Sequence, residues 1–290
     1  MERLTWALAA ITTAACAVST VASTRVVSTA PVKGARSYLE LPLDASGEAR
    51  TLPYIWERRV NKKHIVVVGT RHVSDPRSPM YPRIQTIFER VRPQLVLHES
   101  EAPEALKKMK RDEAIKVGAD LGFAVHLAGQ YGARTRSADA SPKEEIKALL
   151  TEFSAQEVLV FLTAQRLIGN VRKPNLDLAA AEYPRFYADY LVANGLPGTT
   201  SWQTWPGFLE AYENVVDQKL SPRLWNRDLF SPIKRTGRLS TLARSLNAIR
   251  DRRLLHEMRT ALTRYDRVVV VFGSWHVLAL EPVLESVLAR

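Results

Sequence analysis

The sequence predicts an α/β fold with a mostly parallel central sheet flanked by helices. Three observations carry this. Two β-branched runs, Ile65-Val66-Val67-Val68 and Val268-Val269-Val270-Val271, lie near opposite ends of the chain, and a glycine closes each (Gly69, and Gly273 after Phe272). Continuous apolar runs of that length mark strands buried on both faces. The first run is followed by apolar residues at helical spacing and then by another short run, Leu95-Val96-Leu97, which is the order of a βαβ unit.

Taken in order, the chain of 290 residues opens with an apolar stretch over residues 5–22 behind Arg3. It is short and weakly apolar for a membrane span, and small residues follow at Val21, Ala22 and Ser23. Residues 1–23 read as an export signal, so the mature protein is expected in the periplasm or cell envelope. Thr13-Ala14-Ala15-Cys16 resembles a lipoprotein cleavage box, and a lipidated Cys16 would tether the protein to a membrane. Cys16 is the single cysteine, which excludes an intrachain disulfide and a thiolate metal cluster. Residues 24–36 read as a linker, and residues 37–290 as one α/β domain.

Ser78-Pro79 offers a helix start, with Ile84, Ile87, Phe88 and Val91 on its apolar face and Pro93 beyond its end. Glu99 stands just past the strand at 95–97. A third strand is expected over 135–138, ending at Asp139. Ser141 with Glu144, and Ser154 with Glu157, are capping boxes, the second opening a very apolar helix that runs to Ile168. Residues 183–230 hold ten aromatics, among them Tyr183, Tyr187, Tyr190, Trp202, Trp205 and Trp225. They fall in a helical insertion or lid spanning about 170–235, whose rings serve most simply as its core. A helix over 247–264, the strand at 268–272 and a last helix over 278–289 complete the chain.

The composition, 46% hydrophobic, supports a sizeable core. The net charge of +11 is spread along the chain and favours acidic partners in general. No finger spacing, RNP-like string or basic heptad region is present, so no nucleic-acid partner is expected. P-loop, dinucleotide and GxSxG patterns are also missing. His98-Glu99 and His256-Glu257 begin like zincin motifs, but Ala102 and Thr260 occupy the second histidine positions.

The chemistry concentrates in two GxxH motifs, Gly69-Thr70-Arg71-His72 and Gly273-Ser274-Trp275-His276. Ligands of parallel sheets bind beyond the carboxyl ends of strands. Glycine there lets the chain turn sharply and lets a ligand approach the backbone. His72 and His276 then lie near the mouth of the sheet, where an imidazole can bind metal or move a proton. Glu99, at the end of an intervening strand, can join them, although Glu101 shares its face. Two histidines and a carboxylate suit a divalent metal with open positions, and equally an acid–base pair without metal. Asp251 lies on the apolar stripe of its helix, and Arg250 borders it, so the two can pair. His64, His98, His126 and His256 read as structural or surface residues.

The motifs resemble the TraB/GumN/TIKI superfamily, related to the ChaN and erythromycin-esterase-like proteins. The resemblance rests on Gly69 to Ser74, on Arg92-Pro93 followed by the strand and Glu99, and on Arg250-Asp251 before the second GxxH. It spans roughly residues 64–139 and 245–285. It implies a two-halved fold and a site of His72, Glu99, Arg250 and His276, supported by Gly69, Gly273, Asp139 and Asp251. His98 departs from the small or apolar residue common before the glutamate, and Asp139 matches the family's Asp-Arg loosely. The expectation is an exported hydrolase dependent on a divalent metal (Mn, Co or Zn), cleaving peptide bonds or another small substrate. His72, His276 and Glu99 would hold the metal, and Arg250 would stabilise developing negative charge. The alternative is a non-catalytic haem- or iron-binding envelope protein of the ChaN type, in which Tyr183, Tyr187 or Tyr190 ligates iron. A degenerate relative serving as an envelope interaction protein is the third reading.

Overall fold

The computed structural model describes residues 28–169, 171 and 173–288. The expected signal at 1–23, Cys16, the first part of the linker and Ala289 lie outside the described residues. The fold is α/β, as expected. A five-stranded sheet holds β1 (Tyr54–Val60), β2 (Lys63–Thr70), β3 (Leu95–His98), β4 (Arg134–Ser137) and β5 (Arg267–Gly273) in the order β1-β2-β5-β3-β4. All neighbours are parallel except β1, an antiparallel edge strand that joins β2 directly. β1 was not anticipated. Its apolar residues, Tyr54, Ile55, Trp56 and Val60, do not alternate, and only Trp56 is buried.

Alternation along the strands sorts their side chains between two cores. Ile65, Val67, Leu97, Val268 and Val270 face α7 (Arg238–Arg264) and α8 (Ser274–Leu280). Val66, Val68, Val96, Val269 and Val271 face α1 (Met80–Val91) and α2 (Arg111–Gln130). This double coverage is why the strands read as unbroken apolar runs.

The placement of β5 matters most for function. Although last in sequence, it inserts between β2 and β3. Thr70 of β2 pairs with Gly273, and His98 of β3 pairs with Val271. The carboxyl ends of three strands from distant parts of the chain therefore come side by side.

Both capping boxes are present, opening α3 (Pro142–Leu149) and α4 (Ala155–Leu162). The apolar helix after Ser154 does run to Ile168, but its last turns, Thr163–Ile168, widen to π-helical geometry. The aromatic region supplies α5 (Leu176–Arg185), α6 (Trp205–Val216) and a π-helical segment, Phe186–Val192. Its rings are core: Tyr183, Tyr187, Phe208, Tyr212 and Phe230 are buried together with α4 and the first half of α7. The Tyr183 hydroxyl donates to the Trp202 carbonyl at 2.7 Å, and that of Tyr187 donates to the Thr199 carbonyl at 3.2 Å. Each phenol thus buries its ring and satisfies its polar tip on the backbone.

Residues 28–36 lie along α7 and α8. Arg252 donates to the carbonyls of Ser28 and Ala30, and the Arg36 guanidinium donates to the Leu278 carbonyl at 2.8 Å. Among the described residues no helix is long and apolar enough to cross a membrane.

Candidate active site

The site grows from the three adjoining strand ends. β3 delivers Glu99, whose backbone N–H bonds the Val271 carbonyl. One Glu99 oxygen accepts from the Gly273 backbone N–H at 2.8 Å, and the other accepts from Arg250 at 2.5 Å. A Cβ on Gly273 would stand 3.2 Å from the Glu99 carboxylate, so glycine here makes room for that contact. At Gly69 a Cβ would meet the Ser274 backbone at 3.1 Å and Tyr54 at 3.2 Å. Neither glycine adopts a positive φ. Their role is close packing rather than the sharp turn the sequence led us to expect, and β2 continues one residue past Gly69 to Thr70.

Arg250 comes from the middle of α7, on the buried side of the helix next to Asp251. Its Nε and Nη2 donate to Asp139 at 2.8 and 2.7 Å as a bidentate fork. Nη2 also serves Glu99, and Nη1 lies 3.3 Å from Nε2 of His276. A guanidinium has five N–H donors. Four of these are engaged, and the side chain is only 9% exposed. Burial works against its charge, but Asp139 and Glu99 outweigh this and hold its pKa well above the ordinary value. Burial likewise raises the Glu99 pKa, yet Arg250 and then His72 outweigh it and hold the carboxyl well below the usual range.

His276 sits on the first turn of α8 and is buried. Its Nδ1 is 2.7 Å from Asp251, whose carboxylate also accepts from the Tyr38 hydroxyl at 3.0 Å. Arginine only donates, so Nε2 accepts from Arg250 and Nδ1 carries the proton; the tautomer is assigned from this network. A chain of contacts, Tyr38 to Asp251 to His276 to Arg250, backs the Glu99 carboxylate.

His72 is different. Its side chain is 57% exposed. Nδ1 lies 2.7 Å from Asp120, and Nε2 lies 3.8 Å from Glu99. The Asp120 carboxylate pushes the imidazole pKa up to about 10, against the effect of desolvation and with help from Glu99. Asp120 is 2% exposed and also accepts from the Thr70 hydroxyl, so strand β2 anchors both partners of the dyad.

Asp120 reaches this place through a break in α2. Ala119 adopts φ 48°, ψ −132° inside the helix, and a Cβ on Gly122 would collide with the Ala114 carbonyl oxygen at 2.1 Å. Ser100, directly after Glu99, also has a positive φ of 63°. Non-glycine residues in such conformations cost on the order of 1–3 kcal/mol each and cluster at functional sites. Here they flank both carboxylates that face His72.

The structure thus brings His72, Glu99, Arg250, His276, Asp139 and Asp251 into one network. Sequence reasoning missed Asp120, Tyr38 and Glu145, which is buried 3.8 Å from Arg250. The one available signal was the carboxylate of Asp120 between Gly118 and Gly122 in the otherwise apolar stretch Val117 to Val125. Burial raises the Glu145 pKa, partly offset by Arg166 at 3.4 Å and by Arg250. Glu101 is exposed, which resolves its ambiguity with Glu99. His64 lies within β2 and contacts Glu57 at 2.8 Å, His98 and His126 are buried, and His256 is exposed.

Two expected roles are corrected. Arg250 is not aimed at substrate; it is buried and committed to Glu99 and Asp139. The proposed ligands His72, His276 and Glu99 do not fit a divalent metal. His276 turns Nε2 to a guanidinium and Nδ1 to Asp251, so it offers no lone pair to an ion. A metal on Glu99 would sit against the Arg250 cation. Among the described residues, no group of three or more His, Cys, Asp or Glu side chains is arranged to hold a metal. The tyrosines of the haem alternative fare similarly, since the Tyr183 and Tyr187 hydroxyls are spent on backbone carbonyls and Tyr190 is half-buried against Phe186. No protein-family model matches this chain, and no curated protein matches it.

Proposed function

We propose that this protein is an acyl hydrolase of the TraB/GumN/TIKI type that works by acid–base chemistry without a metal, with peptide bonds its first substrate class and esters its second. The observation that carries the reading is the His72–Glu99 pair. One member is exposed and held charged by Asp120, and the other is locked by Arg250 and Gly273, with 3.8 Å between them.

The cycle follows from the order of the two pKa values. In the resting state His72 is an imidazolium and Glu99 a carboxylate. Glu99 takes a proton from the attacking water as oxygen bonds to the acyl carbon. His72 gives its Nε2 proton to the leaving nitrogen or oxygen as the acyl bond breaks. The protein is then left with a neutral imidazole and a protonated Glu99. Transfer of that proton from Glu99 to His72 restores the ion pair and is downhill, because the site favours the charged form of both groups. Positioned proton transfer contributes about 10²–10⁴-fold in rate, and with Glu99 held low and His72 held high the lower end of that range applies. Arg250, with Asp139 and the His276–Asp251–Tyr38 chain behind it, positions Glu99 and does not touch substrate.

The reading includes export through residues 1–23 to the periplasm or envelope, with lipid on Cys16 as a membrane tether. Cell fractionation and mass spectrometry of the mature amino terminus test that part. The hydrolase is tested by screening the purified protein against peptide and ester libraries with and without EDTA, beside His72→Ala. Turnover that survives EDTA and vanishes in the variant supports it. Turnover that EDTA abolishes and Zn²⁺ or Mn²⁺ restores contradicts it.

A further inference from the structure

A cavity of about 620 Å³ opens at the opposite end of the sheet from His72. Its rim is formed by Arg92 and Gln94 before β3, Tyr131 and Arg134 around the start of β4, and Arg264 and Arg267 leading into β5. Four guanidiniums therefore converge on one concavity lined by no carboxylate. None of the four is in a salt bridge among the described residues, and they stand together.

Three of the arginines are held in place by neutral groups. Arg92 donates to the Glu89 carbonyl at 3.1 Å and lies over the Tyr131 ring, 4.7 Å from its centroid. Arg267 donates to the Arg92 carbonyl at 2.7 Å, and Arg134 to the Tyr265 hydroxyl at 3.4 Å. These contacts order three of the side chains without placing a carboxylate at ion-pair distance from any of the four; the nearest compensation is the field of Asp266 on Arg267. Like charges gathered without a counter-ion repel, and an anion relieves that repulsion. Guanidinium forks match the oxygens of a phosphate geometrically as well as electrostatically.

We propose that this cavity binds a phosphate-type anion, carried either by a lipid headgroup or by a soluble phosphorylated molecule. The site is separate from the strand ends that carry Glu99, and it does not depend on the hydrolase reading.

The test uses the full mature chain and inorganic tripolyphosphate in isothermal titration calorimetry at low salt. Arg134 and Arg264 are both exposed, and the only side-chain hydrogen bond of either among the described residues is the long one from Arg134 to Tyr265. The double variant Arg134→Ala/Arg264→Ala is therefore expected to fold, with circular dichroism as the check. It should weaken tripolyphosphate binding by about tenfold or more. Arg134→Lys/Arg264→Lys keeps the charge but loses the forks and should fall in between. Arg223→Ala/Arg235→Ala removes equal charge from a distant exposed surface and should leave affinity within about twofold. Vesicles of phosphatidylglycerol and of phosphatidylcholine distinguish the source. Capture by the former, lost in the arginine variant, identifies a lipid headgroup; tripolyphosphate binding without capture identifies a soluble ligand. Equal weakening in both alanine double variants, or no binding of either probe by the unaltered protein, overturns the proposal.

Discussion

The two GxxH motifs share a local pattern and a position, each following a strand of the same parallel sheet, yet their histidines have opposite fates. His72 lies on an irregular segment after β2 and is mostly exposed, facing buried Asp120 on one side and Glu99 on the other. His276 falls on α8, which starts immediately after Gly273, and the helix turns its ring inward onto Asp251 and Arg250. The same spacing therefore yields one histidine able to meet a substrate and one that sets the position of a buried arginine. A motif supplies a side chain near the sheet mouth; the element it sits on decides whether that side chain reacts or supports.

The sharpest way to break this comparison is to remove each partner in turn. His72→Ala should lower turnover by about 10²–10⁴-fold and, because it leaves buried Asp120 without its imidazolium, should also cost about 1–3 kcal/mol of stability. If His276→Ala produced that kinetic pattern instead, the roles would be reversed. Arg250→Ala leaves Glu99 and Asp139 buried without their cation and should cost about 3–5 kcal/mol of stability, read by chemical denaturation. His276→Ala should cost roughly 1–3 kcal/mol, because it strips Asp251 of a buried partner, with a smaller loss of turnover than His72→Ala. Tyr38→Phe should cost about 1.5–3 kcal/mol, since its hydroxyl bonds the charged Asp251 carboxylate.

The pH dependence sharpens the contrast further. The folded His72 pKa is raised from 6.5 to about 10, so its pairing with Asp120 stabilises the fold fully below pH 6.5 and is lost as pH rises through about 10. Activity that needs the imidazolium should hold through neutral pH and decline only as pH passes about 10. Asp120→Asn removes the largest cause of the shift, so the alkaline limb of the rate profile should move toward neutrality. An unchanged limb in Asp120→Asn would detach the dyad from the chemistry.

Much of this was legible in the sequence. Buried parallel strands announce themselves as β-branched runs because both faces are covered, which located β2, β3 and β5. The capping boxes at Ser141 and Ser154 fixed the starts of α3 and α4 through purely local hydrogen bonding. Glu99, Arg250, Asp139, Asp251 and both histidines were identified and do come together. What a linear pattern cannot carry is strand order: the insertion of β5 between β2 and β3 is what joins the two motifs, and it is a tertiary fact. Asp120 was hidden for a related reason. Its helix looks continuous by periodicity, and only the break at Ala119, tolerated where Gly122 lets the chain fold against Ala114, turns the carboxylate toward His72. The metal reading meets the same obstacle. Residue types alone admit a metal triad, but the geometry turns His276 onto Asp251 and a guanidinium.

The account stands most directly on the charge state and access of two imidazoles. Side-chain ¹⁵N NMR across a pH series, with His72→Ala and His276→Ala to assign the signals, measures both. His72 is expected to stay an imidazolium through neutral pH and lose its proton near 10, while the N–H of His276 that faces Asp251 is the one on Nδ1. A His72 signal that titrates near 6.5, or a His276 ring with its proton on Nε2, would contradict it.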